Sequence, residues 1–174
     1  MKKIIIVLLS LLLFITIPIF PRLVLESVKD NNNKYIFNLI KKEFIISYTH
    51  SVNKGRVSDY YIIDENYNII LDKTTFVSYG AGIAEPENNE NIIIKDDNIE
   101  INNINRVIKD FYLFVGIVAE HSITADDKEI MLKSLFKPQT NIKIKYRKVA
   151  LIDLIKNMIN RWKWNRIIIF NTYK

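Results

Sequence analysis

The chain contains no cysteine. Disulfides, thiolate catalysis and cysteine-held zinc are excluded with it. Glycine and proline are scarce, four of each in 174 residues. No G-x-G-x-x-G or G-x-x-x-x-G-K-[ST] run occurs, so neither phosphate-cradling loop is present, and G-x-S-x-G and H-E-x-x-H are missing too. Ser51-Val52-Asn53-Lys54 has the S-x-x-K spacing of a serine nucleophile. That motif needs a helix start, and here it falls where a strand runs into a turn. Only two histidines occur, His50 and His121. A metal between them would have to recruit a carboxylate such as Asp59 or Glu120, and metal sites usually show more ligands at tighter spacing. Neither a metal nor a cofactor is expected.

What is present is apolar residues, 49% of the chain, and a net charge of +6. Residues 23–150 hold 17 Lys and Arg against 18 Asp and Glu, so the middle is close to neutral. The excess is terminal: Lys2, Lys3 and Arg22 at one end, and Lys156, Arg161, Lys163, Arg166 and Lys174 at the other. A nucleic-acid binder carries its basic patch on the folded domain, so that class is set aside. Basic flanks match a lipid surface.

Ile4–Phe20 is a stretch of 17 residues without a charge. As a helix it is ~26 Å long, a little under a ~30 Å hydrocarbon core, and Leu23-Val24-Leu25 would extend it with Arg22 snorkelling. No A-x-A-like site follows; Ile17-Pro18-Ile19-Phe20-Pro21 stands there instead. The expectation is an uncleaved signal anchor over residues 1–25 at the cell membrane. Lys2 and Lys3 place its start in the cytoplasm and the domain outside.

Residues 34–148 read as an all-β domain, a small antiparallel sandwich or barrel of eight or so strands. Phe44, Ile46, Tyr48 and His50 alternate with Ile45, Ser47, Thr49 and Ser51, the period of a half-buried strand with His50 on the inward face. Turns at Asn53-Lys54-Gly55 and 64–68 separate it from strands over 57–63 and 69–79. Tyr112–His121 reads as one apolar strand that brings His121 to an inward face. Asp126–Phe136 reads as a helical turn or loop, and Asn141–Lys148 as a further strand. The period then changes. Leu151, Ile152, Leu154, Ile155, Met158, Ile159 and Trp162 follow helical spacing, which makes 151–174 a basic amphipathic tail. It either covers an open face of the β-domain or lies in the headgroup layer, with Arg161, Trp162, Lys163 and Trp164 as membrane contacts in the favoured second case.

The candidate ligand site is His50, Ser51, Tyr48, Tyr79, Gly80, Ala81, Gly82 and His121. Neighbours on a strand point to opposite faces, so His50 and Ser51 do not form a nucleophile–base pair by themselves. Tyr48, Tyr60, Tyr61 and Tyr79 serve equally as core aromatics or as pocket walls. A buried histidine satisfied by backbone accounts for either imidazole without a site.

Tyr48-Thr49-His50-Ser51-Val52, then Tyr60-Tyr61, then Thr75-Phe76-Val77-Ser78-Tyr79-Gly80-Ala81-Gly82, resemble domain-of-unknown-function family 1850. That is a small prokaryotic domain with an H-S-V segment, a downstream G-A-G and a later His near the end of an apolar strand, here His121. The resemblance spans roughly Phe37 to Tyr146. Two departures stand out: Asn53 occupies a position where an acidic residue is common, and the tail after Ala150 lies outside the domain. Genes of the family often stand beside TAXI-type tripartite ATP-independent transporters. The resemblance therefore implies an accessory role at the membrane; together with the anchor, the expectation is an extracytoplasmic domain that meets the lipid bilayer and transporter subunits and binds a protein or an unknown small-molecule ligand. Two rivals remain: a hydrolase or metal-dependent enzyme using His50 and His121, and a structural envelope protein.

Overall fold

The computed structural model describes residues 2–30, 32–78, 90–95 and 98–160. The chain divides into two compact units, residues 23–146 and a terminal unit of 1–22 with 147–174. In chain order the elements are α1 (Lys2–Thr16), β1 (Pro18–Ser27), β2 (Lys34–Phe37), β3 (Glu43–Thr49), β4 (Arg56–Ile63), β5 (Ile69–Phe76), β6 (Asn91–Ile94), β7 (Ile99–Asn102), β8 (Arg106–Ile108), β9 (Asp110–Val115), β10 (Ser122–Ala125), β11 (Lys128–Met131), a 3-10 turn (Leu132–Ser134), β12 (Thr140–Ala150) and α2 (residues 151–160).

The strands form two antiparallel sheets. One has the order β2-β1-β12-β9; the other runs β11-β10-β3-β4-β5-β7-β6, with β8 also paired to β5. The 23–146 unit is therefore all-β. Leu23, Leu25, Phe37, Ile142 and Ile144 from the first sheet share one core with Phe44, Ile46, Tyr61, Ile63, Ile69 and Ile123 from the second. Alternation explains the assignment: Phe44 and Ile46 of β3, and Ile142, Ile144 and Tyr146 of β12, recur at every second position and are buried. Phe44 stacks on Tyr61, and Tyr61 on Phe111, at ring-centroid distances of 4.9 and 5.2 Å. Lys145 pairs with Glu26 and Lys143 with Asp110.

Three expectations change. The N-terminal apolar stretch is not one long helix. The helix ends at Thr16, and residues 18–27 become β1, with Leu23, Val24 and Leu25 at 0% exposure. Pro18 and Pro21 explain the break, since neither has an N–H for a helix to use. No helix among the described residues is long and apolar enough to cross a membrane. Second, Tyr112–His121 is not one strand: β9 stops at Val115, residues 116–121 leave the ladder, and β10 starts afresh at Ser122. Third, the stretch Asp126–Phe136, read as a helical turn or loop, does contain a 3-10 turn at Leu132–Ser134, but β11 precedes it.

The terminal unit has the opposite character. Ile4, Ile5, Ile6 and Val7 of α1 are 53–65% exposed, and Leu9, Leu12, Leu13 and Phe14 at least 50%. Four consecutive residues sweep most of the way round a helix, so α1 has apolar surface on every side. In α2 the seven-residue stripe splits. Leu151 and Leu154 are half-buried and Asn157 is buried, while Ile152, Ile155, Met158 and Ile159 are exposed. Arg161, Trp162, Lys163 and Trp164 lie outside the described residues.

Candidate functional site

The β3–β4 connection is built on His50. Its backbone N–H donates to the Gly55 carbonyl at 2.8 Å, and its carbonyl accepts from the Lys54 N–H at 3.1 Å. The imidazole turns back into the loop, where Nδ1 accepts from the backbone N–H groups of Val52 and Asn53 at 3.3 and 3.5 Å. An accepting Nδ1 leaves the proton of a neutral ring on Nε2. His50 is 6% exposed.

Asn53 ties this turn to the end of β5. Its Nδ2 donates to the Ser78 carbonyl and hydroxyl at 2.9 and 3.0 Å, while its Oδ1 accepts from the Gly55 N–H at 3.0 Å. A carboxylate at 53 has no hydrogen to donate to a carbonyl, so an acidic residue there would lose the Ser78 tie. Gly55 is required by space, since a Cβ on it would lie 2.9 Å from the Cβ of Val77.

Beside the turn lies a cleft of about 340 Å³. One wall is Thr49, His50, Ser51 and Lys54; the other is Phe114, the 116–119 segment and Gln139. The second wall exists because the chain leaves the ladder after Val115. Gln139 closes the gap by donating its backbone N–H to the Val115 carbonyl at 2.7 Å, and Ala119 accepts from the Thr49 N–H at 2.7 Å. Phe114, Ile117 and Val118 are exposed. Both Lys54 and Gln139 hold positive φ, 58° and 64°, a conformation non-glycine residues rarely adopt.

His121 lies against Tyr48, with ring centroids 5.7 Å apart. Its Nδ1 is buried without a hydrogen-bond partner among the described residues. Burial, helped by the nearby Arg56 guanidinium, pushes its pKa below the usual histidine value, so the ring is neutral. Behind it stands a cluster that the sequence reading missed. Arg56 Nη2 donates to Ser122 Oγ and to Glu129 Oε1, both at 2.6 Å, and Ser122 Oγ donates to the same carboxylate oxygen at 2.5 Å. Ser122 is opposite Ser47, and Ser47 opposite Ser58, whose hydroxyls are 2.9 Å apart. The outward Ser47 and Thr49 of the β3 alternation were the available signal; which strands lie beside them was not.

The candidate residues thus fall into three places. His50 and Ser51 line the cleft. Tyr48 and His121 form a ring pair, and Gly116 links the two, because a Cβ on that cleft-lining glycine would sit 3.8 Å from His121 Cε1. Tyr79, Gly80, Ala81 and Gly82 lie outside the described residues. Asp59 and Glu120 are engaged elsewhere: Asp59 Oδ1 accepts from Thr74 Oγ1 at 2.6 Å, and Glu120 pairs with Lys133 at 3.3 Å. Among the described residues no three His, Asp or Glu side chains are grouped as a metal would need. Desolvation raises the Asp59 pKa, and it also raises that of Tyr48, where the Asp59 charge adds to the effect.

A family model described as Domain of unknown function (DUF1850) matches residues 44–132. The chain belongs to this family. No curated protein and no solved structure matches it. The DUF1850 match runs from the first core phenylalanine of β3 through the first residue of the 3-10 turn. It takes in every residue lining the cleft except Gln139.

Proposed function

We propose that this DUF1850 chain is a membrane-held, extracytoplasmic binding domain that takes a small solute into the His50 cleft in support of a transporter. The observation that carries the reading is the cleft itself. It combines apolar walls with a few convergent polar groups, the composition of small-molecule sites, and it lies in the stretch that matches the family. Membrane attachment is supported by α1, where Ile4, Ile5, Ile6, Val7, Leu9, Leu12, Leu13 and Phe14 are all exposed and only Ile15 among the described apolar side chains is half-buried. At 15 residues it is ~22 Å long, which calls for local bilayer thinning or shallow insertion. The accessory role at a TAXI-type transporter follows from the family resemblance. A histidine-based hydrolase is less well supported. His50 Nδ1 is engaged by its own turn, and no carboxylate orients His121 Nδ1.

The test uses the full chain in detergent micelles and a panel of small solutes. The expected result is saturable stabilisation by at least one solute, lost in Ala119→Phe, a variant that fills the cleft but melts like the wild type without solute. Binding that survives Ala119→Phe would overturn the site. In parallel, the full chain should float with lipid vesicles and resist a high-salt wash; release by salt would remove the inserted α1.

A further inference from the structure

We infer that the solute of the His50 cleft is a small organic anion with an apolar body, in chemical class an aryl or branched-alkyl monocarboxylate. The inference rests on the reading of the cleft as a binding site and adds the charge and shape of what enters it.

The walls set the body of the ligand. Phe114, Ile117, Val118 and Ala119 offer carbon surface to anything that enters, and the volume of about 340 Å³ lies at the small end of ligand sites. The polar side sets the charge. Among the ten described lining residues there is no Asp or Glu, although the sequence between 23 and 150 carries 18 of them. The one full charge among these described residues is Lys54. Its Nζ donates to the Ser51 carbonyl at 2.7 Å, which holds the ammonium beside the cleft wall, and no carboxylate among the described residues is within ion-pair distance. A neutral ligand seated here offers that ammonium at most an uncharged acceptor. A carboxylate accepts a charge-assisted hydrogen bond from it, and a cation would be repelled.

A second cleft on the same domain makes the contrast. It has about 270 Å³ and is lined by Lys41, Lys73, Glu43, Asp72, Asp126 and Asp127 among others. There Lys41 is paired with Asp127 at 2.8 Å, while Lys73 lies 3.7 Å from Glu100 and over the Tyr60 ring. Those cations are already answered from within the protein, and with four carboxylates against two lysines that cleft offers an anion no excess positive charge. Lys54 does.

The experiment compares three probes of one shape: phenylacetate, phenylacetamide and phenethylamine. Each is titrated calorimetrically into the full chain in micelles, with empty micelles subtracted. Phenylacetate should bind at least tenfold more tightly than the amide, and the amine should bind most weakly. Lys54→Gln should erase the preference for the carboxylate, Lys54→Arg should keep it, and Phe114→Ala should weaken acid and amide alike. Equal binding of acid and amide, or tighter binding of the amine, would overturn the anion assignment and leave the cleft a binding site. Binding of none of the three would overturn the aryl-carboxylate assignment, and the binding-site reading would then stand or fall on the wider solute panel with Ala119→Phe.

Discussion

Branched aliphatic residues meet opposite fates in this chain. Leu23, Val24 and Leu25 are wholly buried in the β-domain, whereas Ile4, Ile5, Ile6 and Val7 stand more than half exposed in α1. Composition does not separate them; partners do. A strand hides one row of side chains by placing a second sheet over it, as Ile142 and Ile144 do together with Phe44 and Ile46. Among the described residues, the apolar side chains at 4–7 and 12–14 of α1 have no second layer that buries them in this way. The His50 cleft repeats the contrast inside the domain, because Phe114 is exposed while its neighbour Val115 is buried.

The strongest way to break the comparison is to remove a side chain from each side. Phe44→Ala takes a stacked ring from the core and should cost about 3–5 kcal/mol in a urea melt. Leu13→Ala, at a residue 61% exposed, should change the same melt by less than about 0.5 kcal/mol. Similar losses for the two would mean that α1 is packed by protein and not by lipid.

A smaller effect separates the two glycines of the cleft end. Gly55→Ala forces a Cβ to within 2.9 Å of the Val77 Cβ and should cost about 1–3 kcal/mol. At Gly116 the nearest heavy atom would be 3.6 Å away, an ordinary contact, so Gly116→Ala should melt within about 0.5 kcal/mol of wild type. A large loss at Gly116 would show that the cleft wall is as tightly packed as the turn.

Two buried titrating groups sharpen the comparison further, with opposite signs. Asp59 has a folded pKa raised above the ordinary 3.8, so its stabilising contribution is present in acid and is lost as pH rises through the folded value. Asp59→Asn, which keeps an acceptor for Thr74, should therefore be more stable than wild type at neutral pH and indistinguishable from it near pH 3.8. An Asp59→Asn variant weaker at neutral pH would mean the carboxylate has a cationic partner. The smallest effect concerns His121, whose folded pKa lies below 6.5. Between that folded value and 6.5 the unfolded chain binds more protons, so stability falls as the solution is acidified through this window. His121→Gln should flatten the slope of melting temperature against pH there; an unchanged slope would assign it to other groups.

The repeating β3 pattern was legible because a period of two needs only neighbours in sequence. His50 was correctly placed on the buried side for the same reason, and β4 and most of β5 emerged from apolar runs cut by turn residues. β1 was misread because ten residues entering a sheet and ten residues ending a hydrophobic helix look alike when both are apolar. Pro18 and Pro21 marked the difference. The single strand expected over Tyr112–His121 failed at Gly116, where alternation continues in the letters but the ladder does not.

By itself, then, the order of residues determined the antiparallel all-β character, the buried face of β3, the absence of cysteine chemistry and the basic ends. Local periodicity and composition are enough for each of these. Only the tertiary structure decided that Ser122 and Glu129 close on Arg56 and that the 116–119 segment faces His50 to make a cleft. It also left Lys54 as the one full charge among the described residues along that wall. These are meetings between residues some 60 to 70 positions apart. Sheet order governs such meetings, and strand periodicity carries no information about which strand lies next to which.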